Sequence, residues 1–409
     1  MYAALATEQL FVNVVIILVA ARLLGELFQR FNLPSLVGEL LAGIVIGPSV
    51  LSLVKPTDSL TVLSDLGVFF LMFLAGLEMD PREIRKAGIR AAILSSIAFI
   101  LPLVCGFFAS HLAGLNTVQS MFMGLLISVT AVPVTAVVLM EFGMIKTKLA
   151  STIITAAVIN DILSLIMLSI ILQISESGGT GTIDFVQVLD SLMKIAIFIG
   201  SIFLVDIIFR KTSHWLPSRM SPIFARLQTK EAAFGILLIS TILISLIAQE
   251  LIGLHFIIGT FFSGLIVYKE IIRKQNFERV YGIISAITFG FFAPIFFAIV
   301  GINVQIDVIV KVIPLFVLLT SVAVLSKIGA SYLGARLARF SKDETFAIAF
   351  LMNGRGMVEL VIATIGFGLG LIDVTLFSIA VLIGFVTTIM APILSRPYIL
   401  KIKSNTVTT

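Results

Sequence analysis

The chain has 409 residues, 59% of them hydrophobic and 12% charged, with a formal net charge of +5. Soluble domains carry about 25% charged residues, so this composition describes a polytopic membrane protein without a sizeable soluble domain. The basic excess, confined to one set of loops, is no nucleic-acid signal. A single cysteine, Cys105, excludes an internal disulfide and a cysteine-based metal site, and the three histidines (His111, His214, His255) lie far apart.

Residues 1–9 lack the basic segment of a cleavable signal peptide. Apolar runs of about 20 residues, the length that crosses a bilayer, predict roughly thirteen spans. They lie near 10–29, 34–54, 60–78, 89–113, 118–141, 149–172, 186–209, 232–250, 254–269, 280–302, 308–336, 345–369 and 373–395. The loops after the odd-numbered spans and the tail hold nearly all the basic residues, among them Arg30, Arg82, Lys86, Lys148, Arg210, Arg219, Arg273, Arg336, Arg339 and Lys401; the opposite loops hold Lys55, Lys311 and little else. The positive-inside rule then places the N-terminus outside and the C-terminus in the cytoplasm of a cell's inner (plasma) membrane.

The chain repeats itself. A shift of 225 positions lays residues 95–113 on 320–338, Phe142-Gly143 on Phe367-Gly368, and Gly76-Leu77 on Gly301-Ile302; with a four-residue gap, 33–44 falls on 254–265. Seven spans separate the copies, an odd number, so they run in opposite directions across the membrane. The expected fold is therefore all-α, about thirteen transmembrane helices in an inverted-topology repeat with two interrupted helices near the midplane.

In chain order, the first polar groups in apolar surroundings are Glu39 and Glu78, candidates for a cation funnel, Glu78 near the cytoplasmic end. The basic amphipathic run 80–86 fits an interface with anionic lipid headgroups. Span 5 holds Ser128-Val-Thr-Ala-Val-Pro133, where Pro133 removes a backbone donor and clashes with the preceding turn. The shift of 225 lays Asn353-Gly-Arg-Gly356 of span 12 on it, with Gly354 and Gly356 weakening that helix. Two interruptions at equivalent places free carbonyls and half-helix ends to face an ion. Proline kinking and close glycine packing are the bland readings of each alone.

Asn160 and Asp161 lie in the apolar run 150–172 with no other acid or base, roughly 18 Å along the helix and so near the midplane. An ionisable residue at that depth marks a function by default. Burial favours the protonated carboxyl, a bound cation the ionised one, so one carboxylate can exchange a proton for a monovalent cation. Asn160 adds an oxygen that does not titrate. Lys327, in mid-span 11, either neutralises Asp161 or ties the interrupted segments together. Arg355 and Glu359, four residues apart, can pair on one helix face. Ser128, Thr130 and Ser164 offer hydroxyl oxygens for a hard monovalent cation.

Together, Gly76-Leu-Glu-Met-Asp80, Thr130-Ala-Val-Pro133, Asn160-Asp161, Lys327 and Gly354-Arg-Gly356 resemble the monovalent cation–proton antiporters, in particular the CPA2 branch of sodium/proton antiporters and glutathione-gated potassium efflux systems. The resemblance covers essentially the whole chain. It implies a homodimer, with no cofactor and no enzymatic activity. Spans 1–3 (1–78) and 8–10 (232–302) would form a dimerisation scaffold. Spans 4–6 (89–172) and 11–13 (308–395) would form a core moving by an elevator mechanism, with 186–209 a linker helix and 396–409 a cytoplasmic tail. It further implies that Asp161 carries the proton and the Na⁺ (or Li⁺ or K⁺), with Thr130 an oxygen ligand beside it. Electrogenic relatives have two consecutive acids where this chain has Asn160-Asp161, which implies one-for-one exchange. A potassium/proton antiporter and an organic-solute symporter on the same fold are the alternatives; His-Glu-x-x-His and Gly-x-Gly-Asp protease motifs are absent from the sequence.

Overall fold

The computed structural model describes residues 2–31, 33–79, 88–144, 147–176, 193, 230–252, 255–266 and 274–407. Among these the regular structure is helical throughout, and eight stretches are long and apolar enough to cross a membrane, with shorter apolar helices between them. The chain forms two compact units, one of residues 1–61, 82–181 and 294–409, the other of 62–81 and 182–293.

The helices are α1 (Tyr2–Arg30), α2 (Ser35–Ile46), α3 (Asp58–Glu78), α4 (Gly88–Leu112), α5 (Thr117–Ser128), α6 (Val132–Glu141) and α7 (Lys148–Glu176) in the first half. The second half contains α8 (Lys230–Ile247), α9 (Phe256–Ile266), α10 (Lys274–Ile287), α11 (Ala293–Ile302), α12 (Ile306–Lys311), α13 (Ile313–Leu337), α14 (Lys342–Leu351), α15 (Met357–Gly368) and α16 (Val374–Val407). One turn of π-helix follows α8 and another joins α10 to α11. Twelve of the thirteen expected spans fall on these helices. The span at 186–209 lies, apart from residue 193, outside the described residues, as do the basic run 80–86 and the basic loop at 210–229.

Two boundaries differ from expectation for visible reasons. The second span ends at Ile46, because Gly47 precedes Pro48 and a residue before proline is driven out of the helical region. The segment expected as a tail after 395 continues α16 to Val407. Its side chains pack: Tyr398 stacks on Phe346 with centroids 5.0 Å apart, and Ile399 is buried.

The repeat holds in the starts of the elements. α4 runs 88–112 and α13 runs 313–337; α5 and α14 start at 117 and 342, α6 and α15 at 132 and 357, each pair 225 apart. The capping boxes obey the same offset. Asn116 and Gln119 close the start of α5, and Ser341 and Glu344 close the start of α14, each side chain taking the other residue's backbone N–H.

Glycine contacts repeat too. In the first unit, a Cβ on Gly43 would run into the Ala298 carbonyl and one on Gly301 into the Leu40 carbonyl. In the second unit, Gly76 is blocked by the Phe261 carbonyl and Gly264 by that of Phe73. The repeat shift carries one set of partners onto the other. Apolar helices in lipid gain little from hydrophobicity against each other, so backbone contact of this kind supplies the packing. Gly43→Ala is expected to cost about 1–3 kcal/mol by overpacking, read as a lower melting midpoint of the purified protein; an unchanged midpoint would show that these backbones part easily.

Candidate functional site

The chemistry collects where the two broken helices meet. After α5 the chain is extended at Val129 (ψ 151°) and Ala131 (ψ 120°) before α6 begins. Pro133 occupies the first turn of α6, where its missing N–H is not needed. After α14 the chain unwinds through Asn353, Gly354, Arg355 and Gly356, and α15 starts at Met357. The breaks bond to each other: the Ala131 N–H donates to the Gly354 carbonyl at 2.9 Å, and the Thr130 hydroxyl lies 3.3 Å from the Met352 carbonyl.

A helix ending inside the membrane leaves its last four carbonyls without intrahelical donors and its negative dipole end exposed. At α5 all four are accounted for. The Ser128 hydroxyl donates to the Leu125 carbonyl at 2.7 Å. Arg355 Nη1 and Nη2 donate to the carbonyls of Leu126 and Ile127 at 3.1 and 2.8 Å. Lys327 Nζ donates to the Ser128 carbonyl. Two cations thus sit on the negative end of one half-helix.

Lys327 is fully buried, and its ammonium has three protons to place. The second goes to the Ala98 carbonyl at 2.9 Å. That carbonyl lies four residues before Pro102, which has no N–H to return to it. Pro102 is also the residue that the repeat shift lays on Lys327. The third goes to Asn160. The orientation of that amide that keeps Nδ2 away from the ammonium and Oδ1 away from the Ser95 carbonyl is the favoured one: Oδ1 then accepts from Lys327 Nζ at 3.2 Å and from the Thr130 hydroxyl at 2.9 Å, while Nδ2 donates to the Ser95 hydroxyl and carbonyl at 2.8 and 3.0 Å. Lys327 is therefore held by three neutral oxygens.

Asp161, next to Asn160 at the middle of α7, turns about 100° away around the helix. It is 3% exposed, its Oδ1 accepts no hydrogen bond, and no ion pair joins it to Lys327 among the described residues. The site thus holds a buried ammonium saturated by neutral groups beside a buried carboxylate with acceptor capacity to spare. A carboxylate so placed is costly unless neutralised, and a proton or a monovalent cation neutralises it.

Of the residues marked in the sequence, the fold brings together Ser128, Thr130, Asn160, Lys327, Gly354, Gly356, Arg355 and Glu359. The hydroxyls of Ser128 and Ser164 both donate to their own helices, Ser164 to the Asn160 carbonyl at 2.7 Å. Arg355 pairs with Glu359 at 3.0 Å. Glu39 is buried on α2 beside Gly25. Glu78, in the other unit, is exposed at the end of α3 and accepts a 2.9 Å hydrogen bond from the Tyr281 hydroxyl. Sequence reading missed Ser95, Ala98 and Pro102; the proline in mid-span opposite Lys327 in the repeat was the available signal.

The chain is similar to known proteins along nearly its whole length. A family model described as the transmembrane sodium/hydrogen exchanger matches residues 14–401. The chain is 32% identical over 388 residues to the Na⁺/H⁺-K⁺ antiporter GerN of Bacillus cereus, covering 94% of this chain and 95% of GerN. It is 28% identical over 390 residues to an Na⁺/H⁺ antiporter of Enterococcus hirae, covering 95% and 98%. The solved structure of the sodium proton antiporter MjNhaP1 of Methanocaldococcus jannaschii superposes with a TM-score of 0.73 at 18% identity, over 98% of this chain and 99% of that one, and shares its fold.

Proposed function

Since this chain belongs to the sodium/hydrogen exchanger family, we propose that it is a secondary antiporter in which one monovalent cation and one proton compete for Asp161. The observation that carries this reading is a Lys327 held by three neutral oxygens beside an Asp161 whose Oδ1 takes no hydrogen bond among the described residues. The core can then cross only when Asp161 holds H⁺ or a cation, because a bare carboxylate in hydrocarbon is too costly. The Thr130 hydroxyl, on the interrupted segment after α5, is the proposed oxygen ligand beside Asp161, and oxygen ligands suit hard ions.

Na⁺ is the expected cargo, with Li⁺ accepted; the name of the GerN relative favours K⁺ as the second reading. In the same proposal spans 4–6 and 11–13 move as an elevator against a scaffold through which two copies dimerise, in an inner membrane with the N-terminus outside and the C-terminus in the cytoplasm. The test is proton flux in proteoliposomes on addition of Na⁺, K⁺ or Li⁺, with membrane potential clamped or free. Cation-driven flux that ignores the clamp supports one-for-one exchange and names the ion; no cation-driven flux at any pH rejects antiport.

Asn160 sets the stoichiometry in this scheme. Asn160→Asp puts a carboxylate oxygen where an amide oxygen now lies 3.2 Å from Lys327 Nζ, adding a second exchangeable charge. The variant is expected to exchange in a potential-dependent way, measured as cation-driven proton flux that changes with the clamped membrane potential. A variant that transports yet still ignores potential would remove Asn160 from this role.

A further inference from the structure

The Arg355–Glu359 pair has one loose end. Glu359 is 0% exposed and its Oε1 accepts from Arg355 Nη1 at 3.0 Å, but Oε2 has no donor among the described residues. That oxygen lies against Gly384 of α16, where an added Cβ would sit 3.0 Å from it. Beside it is a small cavity of ≈ 10 Å³, about the room one water needs, lined by Leu36, Val37 and Leu40 of α2, Leu360 of α15, and Phe385 and Thr388 of α16; Glu359 is the ionisable group on its wall.

Buried arginine–carboxylate pairs are frequently bidentate, with both carboxylate oxygens engaged. Here the fork is turned away, onto the Leu126 and Ile127 carbonyls at the end of α5. Arg355 is thereby compensated by the helix end as well as by Glu359. A proton can join the free oxygen of Glu359 without leaving the guanidinium stranded. The charges acting on Glu359 are Arg355, one turn before it, and Lys327 of α13. α2 and α16 present to the cavity only apolar side chains, glycine and the Thr388 hydroxyl, which donates to the Arg355 carbonyl at 2.6 Å.

We propose that Glu359 is a second proton-binding group of the buried core, filled from the cavity it lines, so that protons reach this core at two carboxyl groups and not at Asp161 alone. Its part in exchange rests on the antiport reading above; the protonation itself does not.

Infrared difference spectra across pH test it on the full chain, in an Asp161→Asn background that removes the other core carboxylate. The expected result is a protonated-carboxyl carbonyl band that grows as pH falls and is lost in the Asp161→Asn, Glu359→Gln double variant. The same band in both proteins, or no titrating carboxyl band in Asp161→Asn, overturns the assignment. Gly384→Ala keeps Glu359 but sets a methyl against Oε2, so it should shift that band; an unmoved band also overturns the assignment. In proteoliposomes Glu359→Gln should reduce the proton dependence of exchange from two titration steps to one, and an unaltered profile counts against the proposal. Absence of cation-driven flux in the unmodified protein would reject antiport and leave the spectral result standing.

Discussion

Asp161→Asn is expected to reduce cation–proton exchange to the level of empty vesicles while the protein stays folded. The amide has the shape of the carboxylate but does not titrate and carries no charge for a cation to balance, so neither leg of the exchange can be loaded. Stability should change by about 1 kcal/mol or less, because the substitution creates no cavity and removes a buried charge that has no ion-pair partner among the described residues. A binding readout separates this from a folding defect. A ligand that binds only the folded state stabilises it by about 2.7 kcal/mol at a hundred times its Kd. Na⁺ should therefore raise the melting midpoint of the unmodified protein and leave that of Asp161→Asn where it was. Wild-type flux from the variant, or an undiminished rise with Na⁺, would place the cation elsewhere.

Much of this site was legible in the sequence because its main features are properties of position along the chain. The offset of 225 located both interruptions, and the ends of α4 and α13 fall 225 apart. The capping boxes at Asn116–Gln119 and Ser341–Glu344 and the helix stop before Pro48 also had local signals, yet the expected second span ran on to residue 54. The wiring of charges was not legible. Lys327 at mid-span pointed equally to Asp161 and to the broken segments, and the choice depends on which carbonyls lack donors once helices are packed. Ser128 lacks one because α5 ends there, and Ala98 because Pro102 follows four residues later. Likewise Asn160 read as one more oxygen for an ion, yet its oxygen takes the last ammonium proton and leaves Asp161 unpaired. Helix-to-helix partners at such close quarters depend on rotation and tilt, which apolar sequence encodes weakly.

Arg355 should be the residue least able to be removed. Arg355→Ala strips donors from the Leu126 and Ile127 carbonyls and leaves Glu359 without its cation, all inside the membrane. Breaking a buried pair from one side costs about 3–5 kcal/mol, so the variant should show a steep loss of folded yield and melting midpoint. Glu359→Ala should cost less, about 1–3 kcal/mol, because Arg355 keeps two carbonyls on the dipole end of α5. The double variant tests the cause. If the stranded carboxylate accounts for much of the damage, the two losses fall short of adding by about 0.5–3 kcal/mol; if they add fully, the pair is not coupled and the carbonyls of α5 account for the effect. Arg355→Lys should not restore stability, since a point-like ammonium cannot span two successive carbonyls and a carboxylate as the planar fork does.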